Sequence, residues 1–310
     1  MIVKPISFLS ENCKIAGNLY LPKNGVGKKI PGIVLCHGFA GVKELLIPAY
    51  AEKFAANGFA VLAFDYRGFG ASDGEQGRLV PRLQVEDIKN AITFLATQVE
   101  VDEECIGLWG TSYGGANAIV VASSDSRVKC LCVQLTFGDG ERVITANMSA
   151  AEVIRFKEML AKMQSKKEQT GKEMMVPISK VLSDEQSKKF FQEYANSPSL
   201  NIKIPFLTVA ETMKHKPELF LKNITIPFLI VGAEKDSVNP VTESYNLYSA
   251  AVAPKELFII KDATHFELYS GKYFTQAIEK ELAWFKYISA ACCGNKAMGV
   301  YQGGEAHSPP

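Results

Sequence analysis

The 310 residues carry 34 basic against 33 acidic side chains, a net charge of +1, with 47% hydrophobic and 22% charged residues. This composition excludes a largely disordered chain, and the even charge balance argues against nucleic acid or an anionic membrane surface as partner. The length fits one α/β domain carrying an insertion.

No run of about eighteen apolar residues occurs, so no membrane span is expected. The start, MIVKPISFLSENC, lacks the basic region, long apolar centre and small-residue cleavage site of a signal peptide, and a soluble cytoplasmic protein is expected. The seven cysteines, at 13, 36, 105, 130, 132, 292 and 293, form no CxxC pair and no regular series. That pattern predicts reduced thiols, with Cys292 and Cys293 unremarkable rather than an acylation or redox site.

In chain order, ISFLS and KIAGNLYLP are extended segments separated by the turn-prone ENC, which predicts an antiparallel hairpin at a sheet edge within residues 1–21. After NGVGKK come IPGIVLCHG (30–38) and FAVLAFDYRG (59–68), apolar runs flanking the helix-like ELLIPAYAEKFAANG. Strand, helix, strand is the pattern of a parallel crossover. NGVGKK itself lacks the spacing of a phosphate loop and precedes a strand rather than a helix.

The alternation continues through residues 81–98, where Val85, Ile88, Ile92 and Leu95 keep helical spacing, then CIGLWG, a helix beginning at Gly114, and the strand VKCLCVQL. Strands this continuously apolar indicate a sheet buried on both faces, with Trp109 in its core. The right-handed crossover rule puts the functional edge at the carboxyl ends of the strands.

From Asp139 to about Lys222 the sequence turns helical and charged, broken by prolines at 177, 198, 205 and 217. It reads as an inserted helical cap (139–222) dividing the sheet domain into 1–138 and 223–290. Five of the eight methionines, at 148, 159, 163, 174 and 175, fall in or beside its first helix. The favoured reading is that they fill the cap's own core; the alternative is an adaptable lining for an apolar ligand. Sheet character returns with ITIPFLIVGAEKD (224–236) and ELFIIKDATH (256–265), a helix follows over about 272–289, and residues 291–310 read as a flexible tail.

A serine hydroxyl needs a base, and the base needs a carboxylate to fix its tautomer. The chain has four histidines, at 37, 215, 265 and 307. His265 leaves the carboxyl edge of the sheet in DATHFE. Asp236, in GAEKDSVNP, leaves the same edge one strand earlier, and Ser112 follows CIGLWG. Ser112, Asp236 and His265 therefore project from one edge of one sheet. Neither the histidines nor the cysteines cluster as metal ligands, and no cofactor is expected.

With Gly110-Thr111-Ser112-Tyr113-Gly114 matching the nucleophile elbow G-x-S-x-G, the chain resembles the α/β-hydrolases over about 30–137 and 224–289. The resemblance implies a mostly parallel twisted sheet with helices on both faces. It also implies an oxyanion hole from the backbone N–H groups of Tyr113 and of Phe39 in HGFAG, with His37 bonded inside that loop. FDYRGFGASDGE resembles the family's segment after the following strand, with Asp65 and Arg67 at its turn; it reads as scaffolding, with Asp65 anchoring the loop rather than serving in catalysis. Among the carboxylates near His265, which include Glu234 and Asp262, Asp236 fills the family position before Val and Pro.

LCHGFAGVKE, GLWGTSYGG and DATHFELYSG are similar to the dienelactone-hydrolase-like and polyketide-transferase-like group, though dienelactone hydrolases carry cysteine where this chain has Ser112. The resemblance implies a serine hydrolase or acyltransferase acting on an ester, thioester or lactone through an acyl-enzyme, and the long cap favours a small-molecule substrate with an apolar or bulky acyl group. Carbon–carbon bond hydrolysis of a ketone uses the same residues, and a non-catalytic ligand-binding protein is the alternative of another class. Oligomeric state leaves no trace in the sequence.

Overall fold

The structure, a computed structural model, describes residues 1–23 and 29–293. Residues 24–28 of NGVGKK and most of the expected tail, 294–310, lie outside the described residues. Eight strands form one sheet in the order β1-β2-β4-β3-β5-β6-β9-β10. The hairpin β1 (Ile2–Ser10) and β2 (Cys13–Leu21) is antiparallel at one edge, and β2 pairs antiparallel with β4 (Ala60–Phe64). From there β3 (Ile30–Cys36), β5 (Val101–Thr111), β6 (Val128–Gln134), β9 (Phe228–Ala233) and β10 (Lys255–Ile260) are all parallel.

Helices cover both faces because the strands are apolar on both. Pro48 and Pro81 start α1 (Pro48–Ala56) and α2 (Pro81–Ala96), where proline's fixed φ suits the first turn. The spaced residues Val85, Ile88, Ile92 and Leu95 of α2 are all buried, in one core cluster with Ile119 of α3 (Tyr113–Ala122) and Leu247 of α8 (Val241–Ala250). On the other face, Tyr50 and Phe54 of α1 join Trp109 and Phe285 of α9 (Gly271–Cys293). Helix α9 runs on to Cys293, so Cys292 and Cys293 end a helix rather than open a tail.

Glu281 of α9 is fully buried beneath the sheet, its Oε2 accepting from Trp109 Nε1 at 2.9 Å. Burial pushes its carboxyl up to about 8, against the opposing pull of Trp109 and Cys132. A carboxyl raised in the folded state binds its proton more tightly than in the unfolded chain, so stability falls as pH rises from about 4.5 to about 8. Glu281→Gln is therefore expected to raise the melting temperature more at pH 9 than at pH 5. Equal shifts at both pH values would remove Glu281 as the cause.

Between β6 and β9, which are neighbours in the sheet, the chain makes α4 (Gly140–Thr145), α5 (Ala150–Thr170), α6 (Glu185–Glu193) and α7 (Thr208–Lys214). A capping box of Ser149 with Glu152 starts α5, and Gly171 in the left-handed conformation ends it. The segment is not wholly helical: β7 (Met175–Pro177) pairs antiparallel with β8 (Lys203–Pro205). Strands of three residues are too short to show a periodicity in sequence.

The favoured reading of the methionines is corrected. Met163 packs against the small cluster of Leu160, Leu207, Val209 and Met213, but Met159, Met174 and Met175 are exposed. Helix α5 buries only one stripe, centred on Leu160, and leaves its other sides to solvent. Among the described residues Cys13, Cys36 and Cys132 are free thiols.

Candidate active site

Ser112 sits between the last residue of β5 and the first of α3, with φ 52 and ψ −123. A non-glycine residue there stores about 1–3 kcal/mol of strain, held by the surrounding bonds. Its N–H donates to Gln134 O at 2.9 Å and its carbonyl accepts from Thr136 Oγ1 at 2.7 Å. The flanking glycines are required by close approach: a Cβ on Gly114 would lie 2.1 Å from Cys36 O, and one on Gly110 would lie 2.7 Å from Gly114 O.

Asp236 lies in the turn after β9 and His265 in the loop after β10, both almost fully buried. His265 Nδ1 and Asp236 Oδ2 are 2.7 Å apart. Asp236 Oδ1 accepts from the backbone N–H groups of Val238 at 2.8 Å and Asn239 at 2.9 Å, so both carboxylate oxygens are engaged. The rival carboxylates point elsewhere. Glu234 accepts from Asp262 N, and Asp262 pairs with Lys235 in solvent.

Ser112 and His265 line one cavity, but the hydrogen bond that Ser112 Oγ receives comes from Asn239 Nδ2 at 3.3 Å. The same amide donates to Leu135 O at 2.7 Å. Unliganded sites often hold the nucleophile away from its base in this manner. Asn239 was not singled out in the sequence, although it stands three residues after Asp236 in the same turn. Gln186, in the first turn of α6, is a second unexpected member. Its Oε1 accepts from His265 N–H at 3.0 Å, and nothing in the charged sequence around it signals this contact.

Tyr113 is the first residue of α3, so its N–H has no acceptor within the helix. Phe39 lines the cavity beside Ser112, and its ring meets the Tyr113 ring edge-on at 5.6 Å. A Cβ on the preceding Gly38 would be 3.2 Å from Ser112 Cβ, so this loop lies directly over the serine. His37 bonds through Nε2 to Leu45 O at 2.7 Å, inside the loop, and burial holds its imidazole below the ordinary range.

Asp65 ties the loop down. It accepts from Lys43 N at 2.7 Å, Lys43 Nζ at 2.7 Å and Ala71 N at 2.9 Å. Burial works against the Lys43 ammonium, but the Asp65 and Glu44 carboxylates outweigh it and raise its pKa. Arg67 likewise holds Asp87, Glu11 and Ser10.

The cavity opens to solvent and spans about 490 Å³ with that open space included. Ile178, Leu182, Phe190, Phe191 and Leu200 come from the segment between β6 and β9, and Phe266 and Tyr269 from the loop after β10. Among the described residues no methionine, lysine, arginine or carboxylate lines it. His215 is not in this lining; it is buried against Tyr113, their ring centroids 5.8 Å apart, and burial lowers its pKa to about 4. Among the described residues no three His, Cys, Asp or Glu side chains are placed to hold a metal, and no helix is long and apolar enough to cross a membrane.

Residues 28–269 match the sequence profile of the family described as "Serine aminopeptidase, S33". An uncharacterized 31.7 kDa protein of the traX-finO intergenic region of Escherichia coli is 45% identical over 280 residues, covering 90% of this chain and 96% of its own. The thiohydrolase aneE of Aspergillus aculeatus is 32% identical over 307 residues, covering 92% and 93%. Among solved structures, DcsB in complex with its substrate analogue superposes with a TM-score of 0.81 at 23% identity, covering 92% of this chain and 99% of its own.

Proposed function

Since the chain belongs to the serine aminopeptidase S33 family of α/β-hydrolases, we propose that it is a serine acyl hydrolase or acyltransferase working through Ser112, His265 and Asp236. The observation that carries this reading is the buried 2.7 Å pair of His265 with Asp236, opening onto the same cavity as the strained Ser112.

In this mechanism Asp236 accepts from His265 Nδ1–H and so leaves Nε2 free to take a proton. When a substrate carbonyl enters, His265 Nε2 removes the Ser112 hydroxyl proton and Oγ bonds to the carbonyl carbon. The oxygen gains the negative charge and is held by the N–H groups of Phe39 and Tyr113, donors worth roughly 3–4 kcal/mol each in such sites. Collapse expels the alcohol or thiol, which leaves with the proton from His265. Water or an alcohol then repeats the sequence on the acyl-enzyme and frees Ser112.

The lining selects the substrate. An aminopeptidase must neutralise the α-ammonium of its peptide, and a buried cation without a partner is costly. Among the described residues no carboxylate lines this cavity, and its aromatic and aliphatic lining argues for a neutral, apolar acyl group rather than a peptide N-terminus. In this reading residues 139–222 act as the cap, and Phe190 and Phe191, which line the cavity, would pack on the acyl chain. Similarity to a protein named thiohydrolase supports a thioester among the substrates.

A fluorophosphonate probe tests this directly: the adduct, located by peptide mass spectrometry, is expected on Ser112. Apolar acyl esters and thioesters should turn over, and aminoacyl anilides with a free amine should not. Mass spectrometry of the products with and without added alcohol separates hydrolysis from transfer. Folded protein that takes up no label and turns over no ester rejects the reading.

A further inference from the structure

Helix α6 touches the cavity with one part of its surface and the loops carrying Asp236 and His265 with another. Its start is pinned by Asp184, whose Oδ1 accepts from Gln186 N and Ser187 N at 3.0 Å each and from Ser237 Oγ at 3.1 Å. The Gln186 side chain then spans two loops. Its Oε1 accepts from His265 N–H at 3.0 Å and from Ser237 N–H at 3.3 Å, while its Nε2 donates to Lys235 O at 2.6 Å. Lys235 and Ser237 are the two chain neighbours of Asp236. One amide thus grips the backbone on both sides of Asp236 and at His265 itself.

One helical turn on, residues four apart share a face, and Phe190 follows Gln186 at that spacing. The Phe190 ring stacks on Phe266, the residue after His265, at 4.3 Å and 6°. Phe190 and Phe191 both line the cavity, so the helix that holds the loops also forms a wall against which an acyl chain packs.

We propose that Gln186 is a positioning residue that couples acyl-chain occupancy under α6 to the alignment of His265 and Asp236, so that α6 selects the acyl group in the rate of reaction and not in binding alone. This rests on the serine-hydrolase reading above. An acyl chain long enough to reach Phe190 and Phe191 holds α6 in place, and α6 holds the amide on His265 and Ser237. An acetyl group leaves the helix unsupported. Binding energy from a remote part of the substrate then appears in kcat, and a misplacement of about 1 Å at the reacting groups costs on the order of 10²-fold.

The test compares p-nitrophenyl acetate with p-nitrophenyl octanoate on wild type, Gln186→Ala and Gln186→Glu. Wild type is expected to show a kcat about tenfold or more higher for octanoate, and Gln186→Ala to lose most of that ratio, with the octanoate KM little changed because the Phe190 and Phe191 wall remains. Glutamate keeps an acceptor oxygen for the His265 and Ser237 N–H groups but no donor for Lys235 O, so Gln186→Glu should recover part of the ratio and serves where the alanine variant does not fold. A wild-type kcat equal for the two esters overturns the coupling, as does an unchanged ratio in both variants or a loss confined to KM. Wild type that neither takes fluorophosphonate on Ser112 nor cleaves either ester rejects the serine-hydrolase reading instead; turnover of both with an unmoved ratio rejects only the role of Gln186.

Discussion

Asp236→Asn is expected to lower kcat by about 10⁴-fold with little change in fold or KM. The size follows from the local hydrogen bonds. The N–H groups of Val238 and Asn239 both donate to Asp236 Oδ1, at 2.8 and 2.9 Å, and they demand an oxygen there. An asparagine must therefore keep its carbonyl on that side and turn its NH₂ toward His265. The amide then donates to Nδ1, which moves the imidazole proton to Nε2, where it blocks acceptance of the Ser112 proton. Fluorophosphonate labelling of Ser112 should slow in parallel, since it needs the same proton transfer. A variant within about tenfold of wild type would remove Asp236 from the orienting role.

Loss of Asp65 should act on stability and on the loop bearing Phe39 together. The Asp65 side chain is fully buried and that of Lys43 is 7% exposed, so Asp65→Ala leaves the Lys43 ammonium only the solvent-exposed carboxylate of Glu44 and unbinds the backbone N–H groups of Lys43 and Ala71. Breaking a buried pair from one side costs about 3–5 kcal/mol, whereas replacing both members by apolar groups of similar size is often neutral. Urea unfolding should therefore show Asp65→Ala markedly destabilised and Asp65→Leu with Lys43→Met closer to wild type. In the variants that stay folded, kcat should fall, because the loop bearing Phe39 is anchored through Lys43. Equal stability of the single and double variants would reject the ion pair as the loop's anchor.

The sheet and its helices were legible in the sequence because burial repeats with the local backbone period. The apolar runs around Val34, Leu108 and Val231 are core strands, and Val85, Ile88, Ile92 and Leu95 form one buried helix face. The tight turn at Ser112 was equally legible, since only glycine fits where Gly110 and Gly114 meet neighbouring backbone. Strand ends were less so: residues 59–68 read as one extended run, but the strand stops at Phe64 where Asp65 turns inward to bind Lys43.

Chain order and local pattern alone thus determined the fold class and brought the candidates Ser112, Asp236 and His265, with the rival carboxylates, to the ends of β5, β9 and β10 at one edge of the sheet. Tertiary structure decided which carboxylate faces His265, that Asn239 reaches Ser112 and Gln186 reaches His265, and that phenylalanines rather than methionines line the cavity. The reason is one of range. A repeat of 2 or 3.6 residues records which side of an element is buried, but the contact of Asn239 with Ser112 joins residues 127 positions apart and depends on how whole elements pack.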